Sequence, residues 1–461
     1  MKRIHKKVSL IIPVESQWRE FDAKMLLACI AAARGFSAYI GPNTEIESQI
    51  SSFPKGFYLA YRLKSGNARF FRILCKLGFE IVAWDEEALV RLPSAMYYSR
   101  RLSPKAFRWV SHLFAWGKDN FHLWRRYPHL SSDTPIQITG NPRFDLLRSE
   151  LRAFYEQEAA ALQEKYGNYI LLNTNFKHVN AFYPFLNILQ PSQDEAAAPI
   201  LGRGGSGMTL EYAVGLHEHK KKLFHAFQEA IPLLEQAFPD YTIIVRPHPV
   251  EDQRIYHNIA ARCKRIIVTN DGNVVLWMLA AKALIHNGCT TAVEAHSMGL
   301  PAISYCPVLN ELYDAGFYHL PNSLSHQCLN FEQLCQTLSR ILAGELGPPD
   351  GAKIRELLDH YLAAQDGPLA SHRIVDVLEK TVESRPNFSR AGIRDRLHGR
   401  YLAVNHRLKK KHRKTELRRH RYPGIALEEL QKQVDKMLEV LKIDSNIRVK
   451  QLAEQIFQIS S

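Results

Sequence analysis

The run Ile243-Ile-Val-Arg-Pro-His-Pro249 is apolar and then stops in a cation and an imidazole set between two prolines. Proline fixes its own φ and restricts the residue before it, so Arg246 and His248 are presented rigidly at a strand end, with Pro249 closing the turn. Rigid donors in such a place suit a phosphate or a sugar carboxylate. The plainer reading is a structural turn with a satisfied histidine, and the apolar strand directly before it favours the chemical one.

Leu284-Ile-His-Asn-Gly-Cys-Thr-Thr-Ala-Val-Glu-Ala295 passes from a strand through small residues into a helix. Gly288 permits close backbone approach. Thr290 and Thr291 fall where a helix start offers N–H groups and hydroxyls to a phosphate, and Glu294 lies one turn on, placed to accept from a ribose diol. An ordinary capping box with Glu294 would account for the same residues.

A second group of residues is acidic. Val82-Ala-Trp-Asp-Glu-Glu-Ala88 puts three acids after a strand, and crowded carboxylates are suited to general-base work. A helix start that welcomes acids is the alternative, and nothing separates Glu86 from Glu87. In Ile138-Thr-Gly-Asn-Pro-Arg-Phe-Asp145, Asp145 is either catalytic or the anchor of a turn, while Arg143 pairs with it or binds substrate. Lys177 and His178, after the strand Tyr169–Asn173, are candidate ligand and acid groups. Glu15 and Arg19, after the first strand, are substrate contacts or part of a helix start.

These residues need strands to position them, and the chain supplies two alternating sets. Val8–Pro13, Ala38–Gly41, Phe57–Tyr61, Glu80–Trp84 and Ile136–Thr139 read as strands with helices between several of them. Tyr169–Asn173, Tyr241–Val245, Arg265–Thr269, Ala283–His286 and Pro301–Tyr305 repeat the grammar, with a long helix over Thr209–Phe238. The expected fold is α/β: two Rossmann-like doubly wound domains, 1–166 and 167–385, facing a cleft, followed by a basic helical extension, 386–461. Pro191–Gly207 reads as a mobile loop. Its Gly202-Arg-Gly-Gly-Ser-Gly207 matches G-x-G-x-x-G, but no apolar strand precedes it, so the dinucleotide fingerprint lacks its context.

At 461 residues, with 46% hydrophobic and 23% charged residues, the chain has the composition of a globular protein of more than one domain. No apolar run reaches the roughly 20 residues of a membrane span. Seven cysteines without C-x-x-C spacing read as buried free thiols in a reducing compartment, and the expected location is cytoplasmic. The net charge of +14 is concentrated: Arg390–Arg421 carries 13 Lys/Arg against Asp395 and Glu416. Such a segment attracts polyanions, and with few aromatics for base stacking it fits an anionic membrane surface, at the inner face of the cytoplasmic membrane, better than sequence-specific nucleic acid.

Together, Ile12-Pro-Val-Glu15 with Arg19-Glu-Phe-Asp-Ala-Lys24, Asp85-Glu-Glu87, Thr139-Gly-Asn-Pro-Arg-Phe-Asp145, Arg246-Pro-His-Pro249 and Thr290-Thr-Ala-Val-Glu-Ala295 resemble the bacterial surface carbohydrate biosynthesis family, related to capsule and lipopolysaccharide Kdo transferases. The resemblance covers roughly residues 8–305. It departs from the family pattern at Ala88, where glycine is usual after the acidic triplet.

The resemblance implies a GT-B glycosyltransferase with a CMP-linked sugar donor (Kdo or a related acidic sugar) and a glycan or lipid-linked acceptor. It also implies Arg246, His248, Pro249, Gly288, Thr290, Thr291 and Glu294 at the nucleotide. For a retaining enzyme it would make Asp145 the nucleophile, with Glu86 or Glu87 as acceptor base. No cofactor or metal is expected, since no Asp-x-Asp is present and Arg246, His248 and helix N–H groups could stabilise a leaving phosphate. Competing readings are a CDP-glycerol or CDP-ribitol phosphotransferase, a UDP-sugar 2-epimerase, and a non-catalytic polyanion-binding scaffold.

Overall fold

The computed structural model describes residues 8–90, 93–190, 198–314, 319–385, 391–410 and 421–461. Residues 390 and 411–420 of the basic segment, and 191–197 of the expected mobile loop, lie outside the described residues. The chain divides into two compact units: Met1–Ala88, Leu92–Phe154 and Glu356–Ser461 form one, and Tyr155–Arg355 lies in the other.

The first unit is built on β1 (Ser9–Val14), β2 (Ser37–Pro42), β3 (Gly56–Ala60), β4 (Glu80–Ala83), β5 (Val110–Ala115) and β6 (Ile136–Ile138). They run parallel in the order β2-β1-β3-β4-β5-β6. Every residue of β1 and β3 is buried, as expected of strands covered on both faces by helices. The second unit contains β7 (Tyr169–Asn173), β8 (Thr242–Arg246), β9 (Ile266–Val268), β10 (Ala283–His286), β11 (Ala302–Tyr305) and β12 (His326–Cys328), parallel in the order β12-β11-β10-β7-β8-β9. From β7 the chain winds outward to β9, then returns to the other side of β7 with β10. From β1 it goes to β2, then crosses to the other side with β3. Each reversal is the switch point where doubly wound sheets open a crevice beyond their strand ends.

The fold departs from the sequence reading in three places. The segment after Glu356 belongs to the first unit, so a second domain running to residue 385 is corrected. The physical reason is close backbone contact. The amide of Ala363 donates to the carbonyl of Trp116 at 2.7 Å, and a Cβ at Gly117 would sit 2.4 Å from the Tyr361 backbone. Gly140, with φ +82°, leaves similarly little room beneath Ala363.

The tail, expected to be a helical appendage, is the second departure. After the helix Leu427–Val440 it forms β13 (Arg448–Ala453) and β14 (Ile456–Ser460), and β14 pairs antiparallel with β2 to extend the first sheet to eight strands. Ile456, Phe457 and Ile459 are fully buried there, a burial invisible to a reading that stopped at helical spacing.

The third departure is at Gly202–Gly207, whose described part is packed rather than loose. A Cβ at Gly202 would lie 2.2 Å from the carbonyl of Asn187, and one at Gly205 2.6 Å from that of Ile188. These glycines serve close chain approach.

Burying a large apolar side chain contributes about 1.5–3 kcal/mol, so three on β14 amount to a large share of a stability of about 5–15 kcal/mol. Truncation after Asp444 is therefore expected to lower the melting of the first unit by more than about 10 °C or to abolish soluble expression, read by thermal denaturation against the full chain.

Candidate functional site

In the first unit the acids after β4 join a buried ionic cluster. The helix Gln17–Ala33 places Glu20 and Lys24 one turn apart, both buried. Lys24 Nζ contacts Glu20 Oε2 at 2.7 Å and Glu86 Oε1 at 2.9 Å, and donates to the Pro13 carbonyl at 2.9 Å. The Trp84 indole donates to Glu86 at 2.8 Å. Burial would raise the Glu20 carboxyl, but Lys24 and Arg19 outweigh it and hold it down at about 2. Burial would likewise lower Lys24, and Glu20 and Glu86 reverse that.

Glu86, Glu20, Lys24 and Trp84 surround a small gap, too tight for water, with Asn141, Pro142 and Arg143. The turn Asp85–Glu87 does not start a helix. Instead the three acids separate. Asp85 accepts from the Tyr97 hydroxyl at 2.8 Å, Glu86 is internal, and Glu87 is partly exposed between Arg19 (3.3 Å) and Arg101 (2.7 Å). Glu15 pairs with Arg62 and, at 2.8 Å, with Arg421.

Asp145 meets the start of a helix far along the chain. Its carboxylate is buried and accepts from the Ala370 amide at 2.7 Å, the Ser371 amide at 2.9 Å and the Ser371 hydroxyl at 2.7 Å. It thus holds the start of the helix Ala370–Glu383 from outside that helix, satisfying donors the helix leaves open. Burial pushes this carboxyl up to about 6, against the pull of the Ser371 and Ala370 hydrogen bonds.

In the second unit the expected residues follow three adjacent strands, since Asn173 is registered with Arg246 on one side and His286 on the other. Lys177 Nζ lies 3.4 Å from His248 Nε2. The Val250 amide lies 3.2 Å from His248 Nδ1, on the far side of the ring from Lys177. An ammonium and an imidazole therefore converge on one point.

The helix Thr291–Met298 starts beside them. Thr291 Oγ1 accepts from Asn173 at 3.1 Å, and Lys177 lies close enough to Cys289 to favour its thiolate, although burial raises that thiol overall. Thr290 stands at the cap position without a side-chain cap bond. Glu294 is buried one turn in.

Arg246 braces rather than reaches out. Its guanidinium donates to the carbonyls of Asp271 (2.9 Å) and Gly272 (3.2 Å) and lies 4.9 Å from the Trp277 ring centre, and burial pulls it down to about 10. Pro249 is exposed, and His178 packs against the glycine turn, where a Cβ on Gly204 would sit 2.9 Å from its Nδ1.

Two residues that sequence reasoning passed over organise this site. Glu251 is buried and accepts from the amides of Phe176 (2.9 Å) and His248 (3.1 Å), from Thr174 Oγ1 (3.1 Å) and from the Tyr256 hydroxyl (2.6 Å). The signal was an acid three residues after His248. His286 is buried at the end of β10, and its Nδ1 accepts from the Gly288 amide at 2.9 Å while Nε2 meets Ser325 Oγ at 2.8 Å. Gly288, at φ +82°, completes the turn.

Two doubly wound α/β units with convergent groups at their switch points define a GT-B-like fold. No protein-family model matches the sequence, and no curated protein matches it. Solved structures do match. A UDP-N-acetylglucosamine 2-epimerase is similar at TM-score 0.50 and 12% identity, covering 84% of this chain and 98% of its own. The UDP-GlcNAc 2-epimerase of Methanocaldococcus jannaschii, in complex with UDP-GlcNAc and UDP, gives TM-score 0.48 at 12% identity, covering 81% and 100%. The wall teichoic acid polymerase TagF gives TM-score 0.48 at 12% identity, covering 82% and 89%. At such identity the likeness concerns the fold.

Removing Lys24 leaves buried Glu86 without its cation and Glu20 with Arg19 alone. Lys24→Met is expected to cost about 3–5 kcal/mol in chemical denaturation, and adding Glu86→Gln should recover part of it.

Burial lowers His286 from 6.5 to about 3, so between those values the unfolded chain binds a proton that the folded one does not. Stability from this residue therefore falls as pH drops below 6.5, by about 2 kcal/mol at pH 5. His286→Gln should lose less melting temperature than the parent between pH 7 and pH 5. An equal loss in both would remove His286 as the cause.

Proposed function

We propose that this protein is a glycosyltransferase of bacterial surface polysaccharide biosynthesis, binding a nucleotide-activated sugar in its second unit. The observation that carries the reading is the convergence of Lys177 Nζ and His248 Nε2, 3.4 Å apart, beside the start of the helix Thr291–Met298. An ammonium beside an imidazole suits an anionic oxygen, and a helix N-terminus adds partial positive charge to the same spot. A donor phosphate seated there would develop charge on its leaving oxygen against Lys177, His248 and the amides near Thr290 and Thr291. Glu294 offers an acceptor to a ribose diol. Arg246 supports this site from beneath by holding Asp271 and Gly272, and Glu251 and His286 fix its two loops.

The sequence resemblance extends the reading to a CMP-linked donor, Kdo or a related acidic sugar, passed to a glycan or lipid-linked acceptor. In the first unit the partly exposed Glu87 is the better placed acceptor base. Glu86 is spent on Lys24 and Trp84, and Asp145 on a helix start. Arg143 and Arg19 are the proposed substrate contacts, Arg19 while paired with Glu20 and Glu87.

Thermal shift with CMP, CDP and UDP tests this. CMP is expected to raise the melting temperature, and Lys177→Ala and His248→Ala should each weaken its binding about tenfold or more, as loss of one charge-assisted hydrogen bond implies. Stabilisation by CDP with none by CMP would redirect the reading to alcohol-phosphate transfer, and by UDP alone to UDP-sugar chemistry. No nucleotide response would defeat it.

A further inference from the structure

The helix Ile393–Lys410 has one face in the first unit and one that points away from it. On the inner face Gly399 and Ala403 are buried, and a Cβ on Gly399 would lie 3.1 Å from the Leu77 amide nitrogen of the helix Ser65–Leu77. His406 stacks on Phe70 at 5.3 Å between ring centres, and Asp395 pairs with Lys76 at 2.8 Å.

The outer face carries Ile393, Leu397, Tyr401, Val404 and Leu408, which are 70%, 62%, 66%, 54% and 57% exposed. At about 100° per residue these five fall within roughly 80° of arc, opposite Gly399 and Ala403. Scattered exposed apolar residues need no explanation, but an ordered stripe along a whole helix does.

What borders the stripe selects its occupant. Arg394 stands on one side and Arg400 and Arg407 on the other, all exposed. The one acid described on this helix, Asp395, points to Lys76. A second copy docking through the same stripe would set arginine against arginine. Nucleic acid would meet four aliphatic side chains and a single aromatic. An apolar strip bordered by guanidinium groups matches the boundary between acyl chains and anionic headgroups.

We propose that the Ile393–Lys410 helix is a membrane-surface anchor, lying in the plane of an anionic lipid leaflet with Ile393, Leu397, Tyr401, Val404 and Leu408 inserted. The inference does not depend on the nucleotide donor. It holds the first unit against the surface, because the inner face of this helix is fixed to the helix Ser65–Leu77.

The test is sedimentation of the full chain with phosphatidylcholine vesicles, with and without about a third phosphatidylglycerol. Expected is binding to the anionic vesicles, reduced about tenfold or more in Leu397→Glu/Leu408→Glu and, separately, in Arg394→Glu/Arg400→Glu. All four positions are exposed, so the variants should keep the parent's melting temperature and nucleotide response. Three results would overturn the proposal. One is that the parent does not bind. Another is that the Leu397/Leu408 variant binds as well as the parent, which would make the attraction a property of basic charge alone. The third is that this variant converts a parent dimer to monomer while vesicle binding persists, which would assign the stripe to a second copy.

Discussion

Glu251 holds the second unit's site together. One buried carboxylate accepts from the loop after β7 through Phe176 and Thr174, from the loop after β8 through His248, and from Tyr256. Burial raises this carboxyl, and the hydrogen bonds offset that rise only in part. Its acceptor sites are filled by local donors, so it spends itself on geometry. Lys177 follows directly on Phe176, so its distance from His248 is set through Glu251. His286 does the same on the other side of β7, where its Nδ1 gathers the Gly288 and Cys289 amides into the turn before Thr290. The groups offered outward are positioned by groups that face inward.

The first unit follows the same logic with charge in place of amides. Lys24 sits between Glu20 and Glu86, so the strand end after β4 is tied to the first helix by attraction within a site closed to water. Breaking such a triad costs far more than a surface pair, because the remaining charges stay buried. It also sorts the acidic triplet into distinct jobs: Asp85 toward Tyr97, Glu86 toward Lys24, Glu87 toward Arg19 and Arg101.

The strands that carry the site were readable because each is a short apolar run ending in polar or small residues. β10 was delimited at Ala283–His286, and β7 at Tyr169–Asn173. β5 was missed, since Val110–Ala115 contains Ser111 and His112 and follows a stretch rich in cations. β13 and β14 escaped because an edge hairpin alternates polar and apolar residues over too short a span to stand against a helical pattern nearby. The partners of Arg246 and Asp145 were not legible. A guanidinium clamping Asp271 and Gly272, or a carboxylate receiving a helix start 225 residues away, is decided by long-range partners that local spacing does not encode.

The hairpin partner of β2 also bears on the order in which the units can form. All six strands of the second unit's sheet lie between Tyr155 and Arg355, so every one of them has been synthesised before the first unit is complete. The first unit starts earlier and finishes later, since β2 gains its neighbour β14 only when residues 456–460 have emerged. Throughout that interval the edge of β2 carries unpaired backbone groups, the kind of template on which chains join one another. Synthesis speed and chaperone access would therefore act on the N-terminal sheet, and the burden of misfolding falls on the half of the molecule that is made first.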